Sequence, residues 1–292
     1  MGGVSPPRHA GGEQVDDLDP LTSRVLAPNP SVMTLDGTNS YLIDAPGDGA
    51  VVCVDPGPRD ERHRDALERA AAARDAEIVA VVLTHHHADH AEAADWAAAW
   101  GAPVHAFTPS MVADAAGSAS VRELRDGDRL AVAGVTLETV HTPGHASDHV
   151  CLRVADTDVV LSGDHVLGRG STVVAWPDGD LASYLVSLRR LRETGAAALY
   201  PGHGPVVTRP REVVDEYLAH RAEREREVLA ALRAGARGPA EVVARVYADV
   251  DPALHPAAER SVRAHLDKLV AEGRVARDPG GGPGGEEAFD VR

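Results

Sequence analysis

Eight of the 15 histidines fall in four short segments: THHHADH at 84–90, TPGHASDH at 142–149, SGDH at 162–165 and YPGHG at 200–204. Imidazole and carboxylate are side chains that hold divalent ions at neutral pH, so this clustering points to metal chemistry. The spacing of His85, His87, Asp89 and His90 is the specific signal. On an extended segment residues two apart point the same way, so His85 and His87 can face one ion while His86 points elsewhere. The turn that follows carries Asp89 and His90 round to a second position. We assign His85, His87 and His145 to one metal, Asp89, His90 and His203 to another, and Asp164 to a bridge between them.

A pair of ions about 3.5–4 Å apart lowers the pKa of bound water to about 7, generating a hydroxide for attack on a carbonyl or phosphoryl centre. The ions also stabilise the oxyanion that develops. Two zinc ions are expected, and iron or manganese suit the same donors. Asp89 is both ligand and candidate catalytic residue, orienting the attacking water. Lys268 is the only lysine and lies far along the chain, so a leaving group would take its proton from metal-bound water or from His165. His86 reads as a neighbour that supports the ligands, and His149 as a hydrogen-bonding partner of a nearby loop. His63, His105, His220 and His265 read as ordinary packing or surface residues.

Each histidine segment follows an apolar run, so each sits on a loop where a strand ends, and loops leaving one end of a sheet can converge. Short strands are expected at 40–43, 51–54, 78–83, 135–140, 150–154 and 159–161, with helices at 59–74, 91–100 and 181–192. From about 211 the pattern becomes a long charged helix, a break at AGARGP, a second helix from 240, a third over 257–272 and a short strand in GRVARD. Helix, helix, helix, strand is the outline of a winged helix. The expected division is a disordered leader at 1–21, a hydrolase domain at 22–207, a winged-helix-like domain at 208–278 and a Gly- and Pro-rich disordered tail at 279–292.

Composition narrows the classes. With 292 residues, 43% hydrophobic and 25% charged, the chain has material for a core and no mark of a fibrous protein. The longest apolar runs fall well short of the roughly 20 residues of a membrane span, so no membrane partner is expected. The N-terminus lacks the basic start and apolar run of a secretory signal, and the expected location is cytoplasmic. A formal charge of −16 opposes generic adhesion to polyanions. Residues 211–278 carry 12 basic and 13 acidic side chains, so the acidic excess lies almost wholly in the first part. Cys53 and Cys151 sit inside apolar runs and read as core thiols, not as a disulfide framework.

THHHADH with the later His145, Asp164 and His203 resembles the metal-ligand motifs of the metallo-β-lactamase-fold superfamily. The resemblance covers roughly 22–207 and implies an α/β protein, an αββα sandwich with a metal site at one edge, followed here by the small winged-helix domain. TLDGTNSYLI, TPGHASDH, DLASYLVSLRRL and YPGHGPV are similar to the β-lactamase-like protein 2 subgroup. That likeness implies hydrolysis of an ester, thioester or other small acyl substrate; single-stranded RNA, cut by a member of the subgroup, is the alternative substrate. A winged-helix DNA-binding regulator with a metal sensor is an alternative of another class, and a persulfide oxygenase, needing one iron, is a further one. Asp164 stands where common class B β-lactamases use cysteine, which argues against antibiotic hydrolysis. Asn39 and Tyr41, in GTNSYL, are candidates either for lining the site or for a turn and a packed strand.

Overall fold

The computed structural model describes residues 8–10, 13–280 and 287–292. They divide into two compact units, the first made of residues up to 142 with 148–171 and 194–210, the second of 143–147, 172–193 and 211–292. The division differs from a single break at 207/208, because segments expected in the first domain belong to the second unit.

The first unit holds two sheets. Among the described residues one has eight strands in chain order: β1 (Arg8–Ala10), β2 (Glu13–Asp17), β3 (Thr22–Leu26), β4 (Asn39–Ile43), β5 (Ala50–Val54), β6 (Glu77–Val82), β7 (Val104–Ala106) and β8 (Val121–Glu123). Between these strands run α1 (Glu61–Ala72), α2 (Ala88–Ala91), α3 (Trp96–Ala99) and α4 (Pro109–Ala116). The second sheet contains β9 (Arg129–Val132), β10 (Val135–His141), β11 (Val150–Val154), β12 (Val159–Gly163) and β13 (Ala198–Pro201), ordered β13-β12-β11-β10-β9.

Strand alternation explains the layering. Val52 and Val54 of β5 join Val135, Leu152 and Leu161 in the core between the sheets, while Val51 and Cys53 face the other way, onto a core with Leu67 of α1. Both cysteines are buried thiols, as expected. The expected strands at 40–43, 51–54, 78–83, 135–140, 150–154 and 159–161 all appear. In place of one helix at 91–100 there are two single turns, α2 ending at Ala91 and α3 beginning at Trp96, with turn residues at 92–95 between them. Part of the expected disordered leader is strand: Val15 of β2 pairs with Val25 of β3, and the alternation of EQVDD gives it an edge-strand pattern.

The second unit contains α5 (Leu181–Glu193), α6 (Pro210–Arg233), α7 (Pro239–Val246), a 3-10 turn at Pro252–Leu254, α8 (His255–Ala271), β14 (Val275–Asp278) and β15 (Ala288–Val291). Val228, Leu232, Val242, Val262, Leu266 and Val275 share one core. Phe289 is fully buried in it, which makes strand of the end of the expected disordered tail and pairs β15 with β14. The rest of that Gly-rich stretch, 281–286, lies outside the described residues. Lys268 on α8 is 2.6 Å from both Glu225 and Glu272, and Arg263 is 2.5 Å from Glu287, so α8 presents cations already tied to carboxylates. No helix among the described residues is long and apolar enough to cross a membrane.

Candidate metal centre

The candidate ligands of the first unit all follow the carboxyl ends of strands that run parallel in pairs. β5 and β6 are parallel, and Asp55 follows one while His85, His87, Asp89 and His90 follow the other. β12 and β13 are parallel too, and are followed by Asp164 and His203. Strands that end together deliver their loops together, which is how residues 148 positions apart come to share one place.

His90 Nε2 lies 3.3 Å from His203 Nε2, 3.4 Å from an Asp164 oxygen and 3.7 Å from Asp89. His203 Nε2 lies 3.2 Å from Asp89 and 3.4 Å from Asp164. His85 Nε2 is 3.0 Å from His87 Nδ1. Asp89, His90 and His203 form one group able to hold an ion, and His85, His90 and Asp164 form another. His145 belongs to the second unit, on the turn at 143–147, where its Nδ1 is 2.7 Å from the Val173 carbonyl.

The hydrogen bonds behind these rings set their tautomers. A carbonyl only accepts, so His145 Nδ1 donates to Val173 and His203 Nδ1 donates to Gly37 at 3.2 Å. His90 Nδ1 donates to Asp55 at 2.9 Å. Thr84 Oγ1 donates to Asp55 at 2.7 Å and so accepts from His85 Nδ1 at 3.0 Å. Four imidazoles therefore hold a proton on Nδ1, which leaves Nε2 of each as the nitrogen an ion would bind, in exchange for any second proton there.

Electrostatics point the same way. Burial disfavours the imidazolium of His90, but the carboxylates of Asp164, Asp89 and Asp55 outweigh it and hold His90 well above its ordinary range. His203, against the same burial, is raised to about 9 by Asp164 and Asp89. Burial would raise the carboxyl of Asp89, yet His90 and His203 hold it down at about 2, and the same pair keeps Asp164 well below the usual range. The pocket attracts positive charge. Gly202 lets the two groups draw together beside its backbone: a Cβ there would lie 2.5 Å from Asp164 Oδ1 and 2.6 Å from the His90 ring. Donor set, ring orientation and charge all fit divalent ions.

The family follows from comparison with known proteins. Residues 33–203 match the family model of the Metallo-beta-lactamase superfamily, and residues 239–282 match that of the Beta-lactamase associated winged helix domain. The chain belongs to the metallo-β-lactamase superfamily. Within this superfamily it is 35% identical to the Beta-lactamase-like protein 2 homolog of Caenorhabditis elegans, over 94% of this chain and 95% of that one. It is 34% identical to the Atrochrysone carboxyl ACP thioesterase of Aspergillus fumigatus, over 75% of this chain and 67% of the other. The crystal structure of a metallo-beta-lactamase family protein from Thermus thermophilus superposes with a TM-score of 0.77 at 27% identity, covering 94% of this chain and all of that one. The chain is a hydrolase with the metallo-β-lactamase fold and a C-terminal winged helix, as the resemblance implied.

Sequence reasoning passed over Asp55. It accepts from Thr84 N at 2.7 Å, from Thr84 Oγ1 and from His90 Nδ1, and its φ is +52°, a conformation that Asp tolerates better than most residues. An acid closing the apolar run VVCVD just before Pro-Gly was the available signal. Asn39 is a buried strand residue, not a turn: Nδ2 donates to the carbonyls of Pro201 and Gly204 at 2.8 and 2.9 Å. Tyr41 donates to Pro201 at 2.7 Å, so both side chains brace the loop that carries His203. His86 Nδ1 donates to Asp148 at 2.8 Å, away from the ligand groups, as its position in the alternation implied. His165 is fully buried.

Proposed function

We propose that this protein is a dinuclear, zinc-dependent hydrolase of small acyl substrates, thioesters foremost, acting in the cytoplasm. His85, His87 and His145 would hold one ion, Asp89, His90 and His203 the other, with Asp164 between them. Bound there, the ions supply Lewis acidity and a lowered pKa for water. The chain's own residues do the positioning. Asp55 and Thr84 fix the rings of His90 and His85, and Gly37 fixes that of His203. Asp89 is 31% exposed at its side chain, against 0% and 1% for His90 and His203, so it is the carboxylate of this group that can meet a water molecule or a substrate.

The observation that carries the reading is the set of imidazole nitrogens and carboxylates converging at the ends of β6, β12 and β13. The thioester preference is supported by the thioesterase named among the relatives. The cytoplasmic reading agrees with two buried cysteines that form no disulfide. The ion-paired cations of α8 weigh against a groove-reading DNA regulator. The test counts metals by mass spectrometry and follows hydrolysis of an acyl thioester and of single-stranded RNA by zinc- and manganese-loaded protein. Two ions per chain and thioester turnover are expected. A single iron with oxygen uptake, or RNA cleavage without thioester turnover, would overturn the reading.

A further inference from the structure

We propose that His149 is the positioning residue for Asp164, locked in one tautomer by a closed circuit of buried hydrogen bonds that runs through Thr142 and Cys151. The inference rests on Asp164 being a metal ligand. His149 is fully buried, and its Nε2 lies 3.1 Å from the backbone nitrogen of Asp164. A backbone N–H can only donate, so Nε2 is the acceptor and the ring proton sits on Nδ1. That proton faces Thr142 Oγ1 at 2.9 Å. Thr142, accepting there, turns its own hydrogen to Cys151 Sγ at 3.4 Å, and the thiol donates to the Ser162 carbonyl at 3.7 Å.

The circuit thus leaves the backbone at Asp164 and returns to it at Ser162, two residues earlier. Its two ends fix its direction: the Asp164 N–H can only donate and the Ser162 carbonyl can only accept, and a proton on His149 Nε2 would face the Asp164 N–H. Gly163, between the two ends, makes the approach possible. Its φ is +47°, and a Cβ there would lie 2.6 Å from His149 Nε2 and 2.9 Å from Thr84 Oγ1. The turn is therefore held from the His149 side while its carboxylate stands 3.4 Å from both His90 and His203. Thr142 and Cys151, unremarkable in the sequence, become parts of the support for a ligand.

Long-range proton–nitrogen NMR of the full chain, metal-free and zinc-loaded, reads the tautomer directly. His149 protonated on Nδ1 in both states is expected; protonation on Nε2 overturns the proposal. Zinc affinity and stoichiometry give the second readout. His149→Leu is expected to weaken the second zinc equivalent by roughly 10- to 100-fold, the usual cost of losing such a supporting contact. His149→Gln, whose amide oxygen can take the Asp164 N–H, restores most of that affinity, and Thr142→Val falls between them. Thermal melts identify any variant that fails to fold, and the Gln and Val variants then carry the comparison. A folded His149→Leu with wild-type zinc binding, or a Gln variant no better than Leu, overturns the proposal. If Asp164→Ala keeps both ions, the ligand reading fails by itself, and the tautomer still decides whether His149 orders that turn.

Discussion

His90 in the first unit and His265 in the second are both buried imidazoles, and their surroundings act on them in opposite directions. Burial alone disfavours the charged ring in each. Around His90, Asp164, Asp89 and Asp55 reverse that preference. Around His265, Arg221 and Arg224 with His220 on α6 and Lys268 on α8 add to burial, and the ring is pushed down to about 3. Neither ring nitrogen of His265 has a hydrogen-bond partner among the described residues. A buried histidine is thus no sign of function in itself. What distinguishes a cation site is the carboxylates that converge with the ring and the acceptors that fix its tautomer.

Removing a carboxylate from the first region is the strongest way to break that contrast. Asp164→Ala is expected to lose at least one ion and to lower turnover by roughly 100-fold or more, since on the proposed reading it deletes a ligand and not merely its support. Metal analysis beside initial rates checks this, and two retained ions with near-normal turnover would remove Asp164 from the ligand set. Gly202→Ala tests the space instead of the charge. Its Cβ would meet Asp164 Oδ1 at 2.5 Å and the His90 ring at 2.6 Å, so metal binding should fall although no ligand is deleted. The metal-free protein should lose about 1–3 kcal/mol from overpacking, measured by chemical denaturation.

A milder change sharpens the comparison. Asp55→Asn keeps the shape at the end of β5 but can no longer accept from Thr84 N, Thr84 Oγ1 and His90 Nδ1 as a carboxylate. Zinc affinity should fall by roughly 10- to 100-fold with the fold intact, read by competition with a chromophoric chelator. Unchanged affinity would mean that Gly37 and the remaining carboxylates orient the site unaided.

The candidate ligands stand out in the sequence because metal-binding residue types are conspicuous when clustered: His85, His87, Asp89, His90, Asp164 and His203 stand in short, unusual segments directly after apolar runs. Their supports do not. Asp55, Thr84 and Thr142 are common residue types, and their roles depend on which strands end side by side, a matter of tertiary pairing. The same limit applies to the fold. The buried strands β4, β5, β6, β10, β11 and β12 follow from apolar or alternating runs, whereas strand β2 has only one apolar residue, Val15, in EQVDD. β15 hides in a Gly-rich tail until Phe289 is seen to fill the core of the second unit. Composition describes the average of a segment, and one aromatic residue with a place to go outweighs it.

The smallest expected effect comes from the second region. His265→Leu removes two buried nitrogens that have no hydrogen-bond partner among the described residues and replaces them with apolar atoms at a fully buried position of α8. Losing unsatisfied polar atoms should stabilise the unit by about 1 kcal/mol at pH 8. The pH dependence gives the sharper reading. The folded-state pKa of His265, about 3, lies below its ordinary value of 6.5, so between these values the unfolded chain binds the extra proton. The stability that depends on a neutral His265 is complete above the unfolded value and declines as pH falls toward the folded one. The variant has no such group to protonate, and its advantage should widen from pH 8 to pH 5 in denaturation curves followed by helix content. If the two proteins lose stability in parallel over that range, His265 finds an anionic partner in solution, and the two regions differ less than their surroundings imply.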